Sequence, residues 1–198
     1  MNDHLRIGVF GGTFDPIHTG HLAIAHAALK QACLDKVLFV IAANPPHKHD
    51  NTITPASLRA AMTASAISGI PAFEICTIEL ERPGPSYTAD TLMGLHEQYV
   101  PAELFFIVGY DSAIELPHWR NPEKIIQLAQ LLVAPRPQNT APLPKLVRDH
   151  CTVLKMDDYP VSSSEIRSRM EQGEDMTAWL PAAVGAFIRE KGLYRARC

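Results

Sequence analysis

Apolar positions in this chain fall into two kinds of run. Short, nearly unbroken blocks at Ile7–Phe10, Val37–Ile41, Leu104–Val108 and Leu131–Val133 are too brief for helices. Their β-branched and aromatic content suits strands buried on both faces of a parallel sheet. Between them lie helical segments at Leu22–Leu29, Pro55–Ile67 and Thr88–Tyr99, each long enough to cross over a sheet. Thr54 precedes Pro55 as a cap, and Gly69 and Pro71 close the same segment. The stretch 134–144 carries Pro135, Pro137, Pro142 and Pro144 and reads as an irregular connection. A further strand is expected at Thr152–Leu154, and the tail from Ser162 to Gly192 predicts two helices, the second from Pro181. Strand and helix in alternation predict an α/β fold with an open parallel sheet, helices on both faces and a small C-terminal helical lobe over about 160–198, all within a single domain 1–198.

Composition narrows the partners. The chain has 198 residues, 46% of them hydrophobic, which is enough for a core and a ligand cleft. Its formal net charge of -3 gives no general attraction to nucleic acid or to an anionic membrane, so any phosphate site must be local. Four cysteines, Cys33, Cys76, Cys151 and Cys198, are scattered without a Cys-x-x-Cys pair and are expected to be free thiols of a reducing cytoplasm. No charged leader with a long apolar stretch opens the sequence, so the expected location is cytoplasmic. Oligomeric state, including a homo-oligomer, is left open by the sequence.

The segment Gly11-Gly12-Thr13-Phe14-Asp15-Pro16-Ile17-His18-Thr19-Gly20-His21 follows the first predicted strand and precedes the first predicted helix. Open α/β sheets place ligands there. Gly11 and Gly12 can admit a phosphate near the backbone, and N–H groups at a helix start attract an anion. His18 and His21, three apart, share one helical face if the helix starts near His18, while Gly20 removes a side chain where a nucleotide would pass. A glycine-rich turn with two incidental histidines is the plain alternative. Zinc on His18, His21 and His26 lacks a Cys or a well-placed Glu to complete its shell. Near the other end, Val161-Ser162-Ser163-Ser164-Glu165-Ile166-Arg167 offers hydroxyls at a helix start and an arginine one turn on, a clamp for terminal phosphates or an ordinary serine cap.

The glycine-histidine loop resembles the signature of the HxGH nucleotidyltransferase superfamily, whose members bind ATP or CTP on a Rossmann-like sheet. Val161–Arg167 resembles its second phosphate motif, usually Ile-Ser-Ser-Thr-x-Ile-Arg, with Val161 and Ser164 as departures. Asn44-Pro45-Pro46-His47-Lys48, with Arg59, resembles the nicotinate mononucleotide adenylyltransferase branch more than the pantetheine phosphate or glycerol phosphate branches. So do Ser86-Tyr87-Thr88-Ala89-Asp90-Thr91 and Gly109-Tyr110-Asp111 followed by Trp119. Tyr110 departs from the smaller residue frequent there.

The resemblance implies transfer of AMP from ATP to nicotinate mononucleotide, with His18, His21 and Arg167 catalytic. It implies ATP binding by Gly11, Gly12, Thr13, Phe14, His18, Gly20, His21, Gly109, Asp111, Ser162, Ser163 and Arg167. Lys48, Tyr87, Thr88, Trp119 and Arg136 are implied at the acceptor, with Mg2+ carried mainly on the ATP phosphates. The competing readings are nicotinamide mononucleotide or another phosphometabolite as acceptor, a nucleotide-binding module without catalysis, and a fragment of a tRNA-charging enzyme. The last lacks the expected Lys-Met-Ser-Lys-Ser type motif.

Overall fold

Six strands, all parallel, form one sheet in the order β3-β2-β1-β4-β5-β6 in the computed structural model, which describes residues 4–44, 53–136, 139, 141–157 and 159–195. The strands are β1 (Leu5–Gly12), β2 (Lys36–Ile41), β3 (Phe73–Cys76), β4 (Ala102–Gly109), β5 (Ala129–Ala134) and β6 (Cys151–Val153). The helices are α1 (Thr19–Gln31), α2 (Ala56–Ile67), α3 (Thr88–Gln98), α4 (Tyr110–Glu115), α5 (Pro122–Leu128), α6 (Lys145–Arg148), α7 (Ser163–Glu171) and α8 (Ala182–Lys191). This is the Rossmann-like α/β architecture.

Period-two alternation in the central strands feeds two cores. Phe10, Phe39, Ile41, Phe105 and Ile107 face α1, α2, α7 and α8, where Ala25, Met62, Ile166 and Ile188 are buried. Ile7, Val9, Leu38, Val40, Leu104 and Phe106 face the other side, against Leu92, Leu95 and Ile125 of α3 and α5. The tail does not stand apart from this packing. Met176, Leu180, Val184 and Ile188 join the same apolar cluster as Phe10 and Phe39.

Chain order reverses between β1 and β4: one half of the sheet is laid down leftward and the other rightward. The connections leaving these two strands therefore diverge at their carboxyl ends, opening a crevice. Among the described residues no helix is long and apolar enough to cross a membrane.

Candidate active site

The loop joining β1 to α1 is gripped from beneath. Asp15 is 2% exposed; its Oδ2 accepts the Thr54 backbone N–H at 3.2 Å and its Oδ1 accepts the Tyr194 hydroxyl. Thr54 Oγ1 in turn donates to Tyr194 Oη at 3.3 Å. Arg59, also buried, donates from Nε to the Thr54 carbonyl at 2.8 Å, from Nη1 to Thr13 at 2.7 Å and from Nη2 to Ala42 at 2.8 Å. Burial pulls the Arg59 guanidinium below its ordinary pKa, and the charges of Asp15 and Tyr194 act the other way. Burial, with the bond to Asp15, pushes the Tyr194 hydroxyl up. The resemblance groups Arg59 with the Pro-Pro-His-Lys motif; in the fold it supports the loop, its donors aimed at carbonyls. Lys48 lies outside the described residues.

His18 is the residue before α1, in extended backbone, and only 6% exposed. Its ring lies 3.7 Å from that of His21, centroid to centroid, at 33°. The His18 backbone N–H donates to His21 Nδ1 at 3.2 Å, which in a neutral His21 leaves the proton on Nε2. Burial lowers the His18 pKa from 6.5 to about 4, so its ring is neutral at pH 7. His18 Nδ1 is buried and without a hydrogen-bond partner. Protonating both rings at this spacing would set two like charges against each other.

The glycines act differently from expectation at two positions. A Cβ on Gly20 would come within 3.1 Å of the His18 ring and 3.2 Å of Tyr159 Cβ, so Gly20 makes room for protein side chains. A Cβ on Gly12 would meet the Phe14 ring at 2.8 Å, where Phe14 is buried with φ of 49°. At Gly11 the nearest contact would be Phe106 at 3.8 Å, which leaves that backbone approachable. Gly109 is more open still: a Cβ there would meet nothing within 4 Å.

The second motif meets the first across the chain. Arg167 Nη1 donates to the Asp15 carbonyl at 2.7 Å, and Ser163 Oγ donates to the Pro16 carbonyl at 2.9 Å. Ser162 Oγ accepts the Glu165 N–H at 3.2 Å, so the ordinary capping role of this serine is real.

A cleft of about 640 Å³ opens at the carboxyl ends of β1, β2 and β4, where the strand order reverses. Gly11, Gly12 and Thr13 line it together with Tyr87, Thr88, Trp119, Arg120, Phe106 and Val40. Trp119 meets Phe106 edge to face at 6.2 Å, so it both packs on the core and lines the cleft. Ser86 Oγ accepts the N–H groups of Ala43 at 3.0 Å and Asn44 at 3.2 Å, tying the start of α3 to the end of β2. His18, His21 and Arg167 stand at the far end of the loop and are not among the cleft's lining residues.

Two expected contacts are brought together elsewhere. Arg136, expected at the acceptor, forms an ion pair with Asp111, expected at ATP, and Asn139 Nδ2 donates to the other Asp111 oxygen at 2.8 Å. Neither Arg136 nor Asp111 lines the cleft. Both are exposed.

Sequence reasoning missed Arg120, Glu79 and the supports Asp15 and Tyr194. Arg120 stacks its guanidinium 4.5 Å over the Tyr87 ring. Glu79 lines the cleft, with Oε1 accepting Thr91 Oγ1 at 2.6 Å and Oε2 buried without a partner. The Trp119-Arg120 pair and the threonine of Tyr-Thr-Ala-Asp-Thr were the available signals. Among the described residues no group of three or more His, Cys, Asp or Glu gathers as a metal site, and Cys33, Cys76 and Cys151 are free thiols.

The cytidylyltransferase-like family model matches residues 9–169. A Thermus thermophilus protein named "probable nicotinate-nucleotide adenylyltransferase" is 43% identical, covering 96% of this chain and 100% of its own. One of the same name from Dehalococcoides mccartyi is 42% identical over 96% of this chain and 97% of its own. Among solved structures, Plasmodium falciparum nicotinic acid mononucleotide adenylyltransferase complexed with NaAD superposes with a TM-score of 0.79 at 19% identity, covering 96% of this chain and 98% of that one. That likeness speaks to the fold. The chain belongs to the cytidylyltransferase-like family and, within it, to the group of proteins named nicotinate-nucleotide adenylyltransferase.

Proposed function

We propose that this chain transfers the AMP unit of ATP to nicotinate mononucleotide, giving nicotinate adenine dinucleotide and pyrophosphate, a step of NAD biosynthesis. The observation that carries this reading is one loop with two ends. Gly11–Thr13 line an aromatic cleft, His18 and His21 stack on each other at the start of α1, and Arg167 bonds to the same loop at the Asp15 carbonyl. Support comes also from relatives of that name at 43% and 42% identity over nearly the whole chain.

An oxygen of the acceptor's phosphate attacks the α-phosphorus of ATP while the bond from that phosphorus to the β-bridging oxygen breaks, and pyrophosphate leaves in line. The acceptor phosphate is already an anion near neutral pH, so no protein nucleophile is needed. Positioning and charge stabilisation supply the acceleration. His21 donates from Nε2 and His18 from its neutral ring to phosphate oxygens, and an entering phosphate raises the affinity of His18 for a proton. Arg167 holds the terminal phosphates, with Ser162 and Ser163 fixing the helix that carries it. Gly20 keeps the His18 ring in place, and Phe14 seats the loop.

Tyr87, Thr88 and Trp119 receive the pyridine ring in the cleft. Gly109 and Asp111 meet the adenosine ribose, Asp111 exchanging its bond to Arg136 for one to a hydroxyl and freeing Arg136 for the acceptor phosphate, where Lys48 joins it. Mg2+ would be brought by ATP, with phosphate oxygens and water as most of its ligands. The chemistry it would supply is neutralisation of charge on the leaving pyrophosphate. Residues 1–198 work as one nucleotidyltransferase domain in the cytoplasm, where ATP and Mg2+ are plentiful.

Pyrophosphate release with ATP and Mg2+ tests the reading, comparing nicotinate mononucleotide, nicotinamide mononucleotide and phosphopantetheine. A kcat/KM highest for the first is expected. A higher value for either other acceptor would leave adenylyl transfer standing and remove the acid nucleotide as its substrate.

A further inference from the structure

We infer that Arg120 selects a carboxylate-bearing pyridine ring over its carboxamide counterpart; this rests on the proposed acceptor assignment and deepens it. Arg120 follows Trp119 and lines the cleft with it. Its guanidinium carbon lies 4.5 Å over the Tyr87 ring, and its Nη1 is 3.9 Å from Asp90 Oδ2. Stacking restrains the plane of the group, while the distant Asp90 oxygen is a weak partner that leaves most of the five donors for another anion.

The surroundings favour that use. Arg120 and Glu79 carry the formal charges among the described arginine, lysine, aspartate and glutamate residues lining the cleft. The two are not equivalent. Glu79 is 8% exposed, with one oxygen on Thr91 and the other buried, whereas the Arg120 side chain is 54% exposed. The charge presented to an incoming ring is therefore the positive one. Tyr87, Trp119 and Phe106 provide flat apolar surface beside it, and Thr88 opens α3 and lines the same cleft. A planar aromatic ring bearing a carboxylate at its edge matches this combination: the ring takes the aromatic surface, and the carboxylate takes the guanidinium in a charge-assisted pair. A carboxamide on the same ring keeps the stacking and loses the charge.

A ratio of rates, and not activity as such, separates the two roles open to this residue. If Arg120 only braced Tyr87, its loss would lower kcat/KM for both acceptors alike. If it reads charge, the acid substrate alone suffers most.

The experiment compares kcat/KM of the full chain and of Arg120→Met and Arg120→Lys for nicotinate mononucleotide and nicotinamide mononucleotide, with ATP saturating and thermal melting recorded for each. Selectivity for the acid is expected to fall about tenfold in Arg120→Met, mainly through KM, and to be partly kept in Arg120→Lys. Raising salt should erode the selectivity of the unaltered chain more than that of Arg120→Met. An unchanged ratio in a folded, active Arg120→Met chain overturns the inference and leaves the acceptor assignment standing. Failure of the unaltered chain to use nicotinate mononucleotide, or its preference for the amide, overturns the assignment and the inference together.

Discussion

The two ends of the β1–α1 loop are built to opposite standards. At the histidine end, Asp15, Arg59, Thr54 and Tyr194 form a buried network, Arg167 and Ser163 bond to the loop's carbonyls, and His18 is sealed against His21. At the cleft, Arg120 is exposed and 3.9 Å from Asp90, and outside the cleft's lining Asp111 and Arg136 pair on the surface. The difference follows the work each end is proposed to do. Phosphoryl chemistry rewards donors fixed before the substrate arrives, because reorganising them would add to the barrier. Admitting and releasing a nucleotide ring calls for groups that can change partners at small cost.

Breaking the buried end should have the largest effect. Arg59→Ala removes the donor from three carbonyls and leaves Asp15 without its neighbouring cation. A loss of about 3–5 kcal/mol in urea unfolding is expected. A variant as stable as the unaltered chain would show that the network is not what holds the loop.

His21→Ala comes next. Under the proposed function it should lower kcat by about 10²–10³ while ATP binding, followed by calorimetry, changes little. Equal losses in both would make His21 a binding group and not a reader of the transition state.

Acid should act through His18. Its pKa is about 4 in the fold against 6.5 unfolded, so the unfolded chain takes the proton first as pH falls. Stability is then complete above about pH 6.5 and declines toward pH 4, by about 2 kcal/mol between pH 7 and pH 5. Unfolding measured at both pH values for the unaltered chain and for His18→Gln should differ in slope by that amount. Parallel curves would place the acid sensitivity elsewhere.

The smallest stability effect belongs to the open end. Asp111→Asn breaks an ion pair whose two side chains are about half exposed, at 49% and 52%. A change within about 0.5 kcal/mol is expected. A loss as large as that of Arg59→Ala would erase the contrast between the two ends.

How much of this was legible depended on distance along the chain. The apolar runs placed β1, β2, β4 and β5 within a few residues, and β6 fell one residue from the expected Thr152–Leu154. β3 was not anticipated, since Phe73–Cys76 is four residues long and Glu74 breaks its apolar run. α4 and α5 were also missed: at six and seven residues they are too short to show a helical period. Tail helices were anticipated from Ser162, Pro181 and Gly192, which cap or bound α7 and α8 as expected.

In the candidate site, the contiguous motifs stand out in the sequence. Their supports do not. Asp15 and Tyr194 are 179 positions apart, and no local pattern announces that a tail tyrosine completes a buried carboxylate. Arg120 has the opposite problem: an exposed arginine looks like ordinary surface until Tyr87 and the cleft are found beside it.

The most direct test of adenylyl transfer is to identify what forms when equimolar ATP and nicotinate mononucleotide meet the chain with Mg2+, by chromatography and mass. The account predicts nicotinate adenine dinucleotide and pyrophosphate in a one-to-one ratio, with both substrates consumed together. ATP broken down to AMP or ADP while the nucleotide stays intact, or no turnover of either, would contradict it.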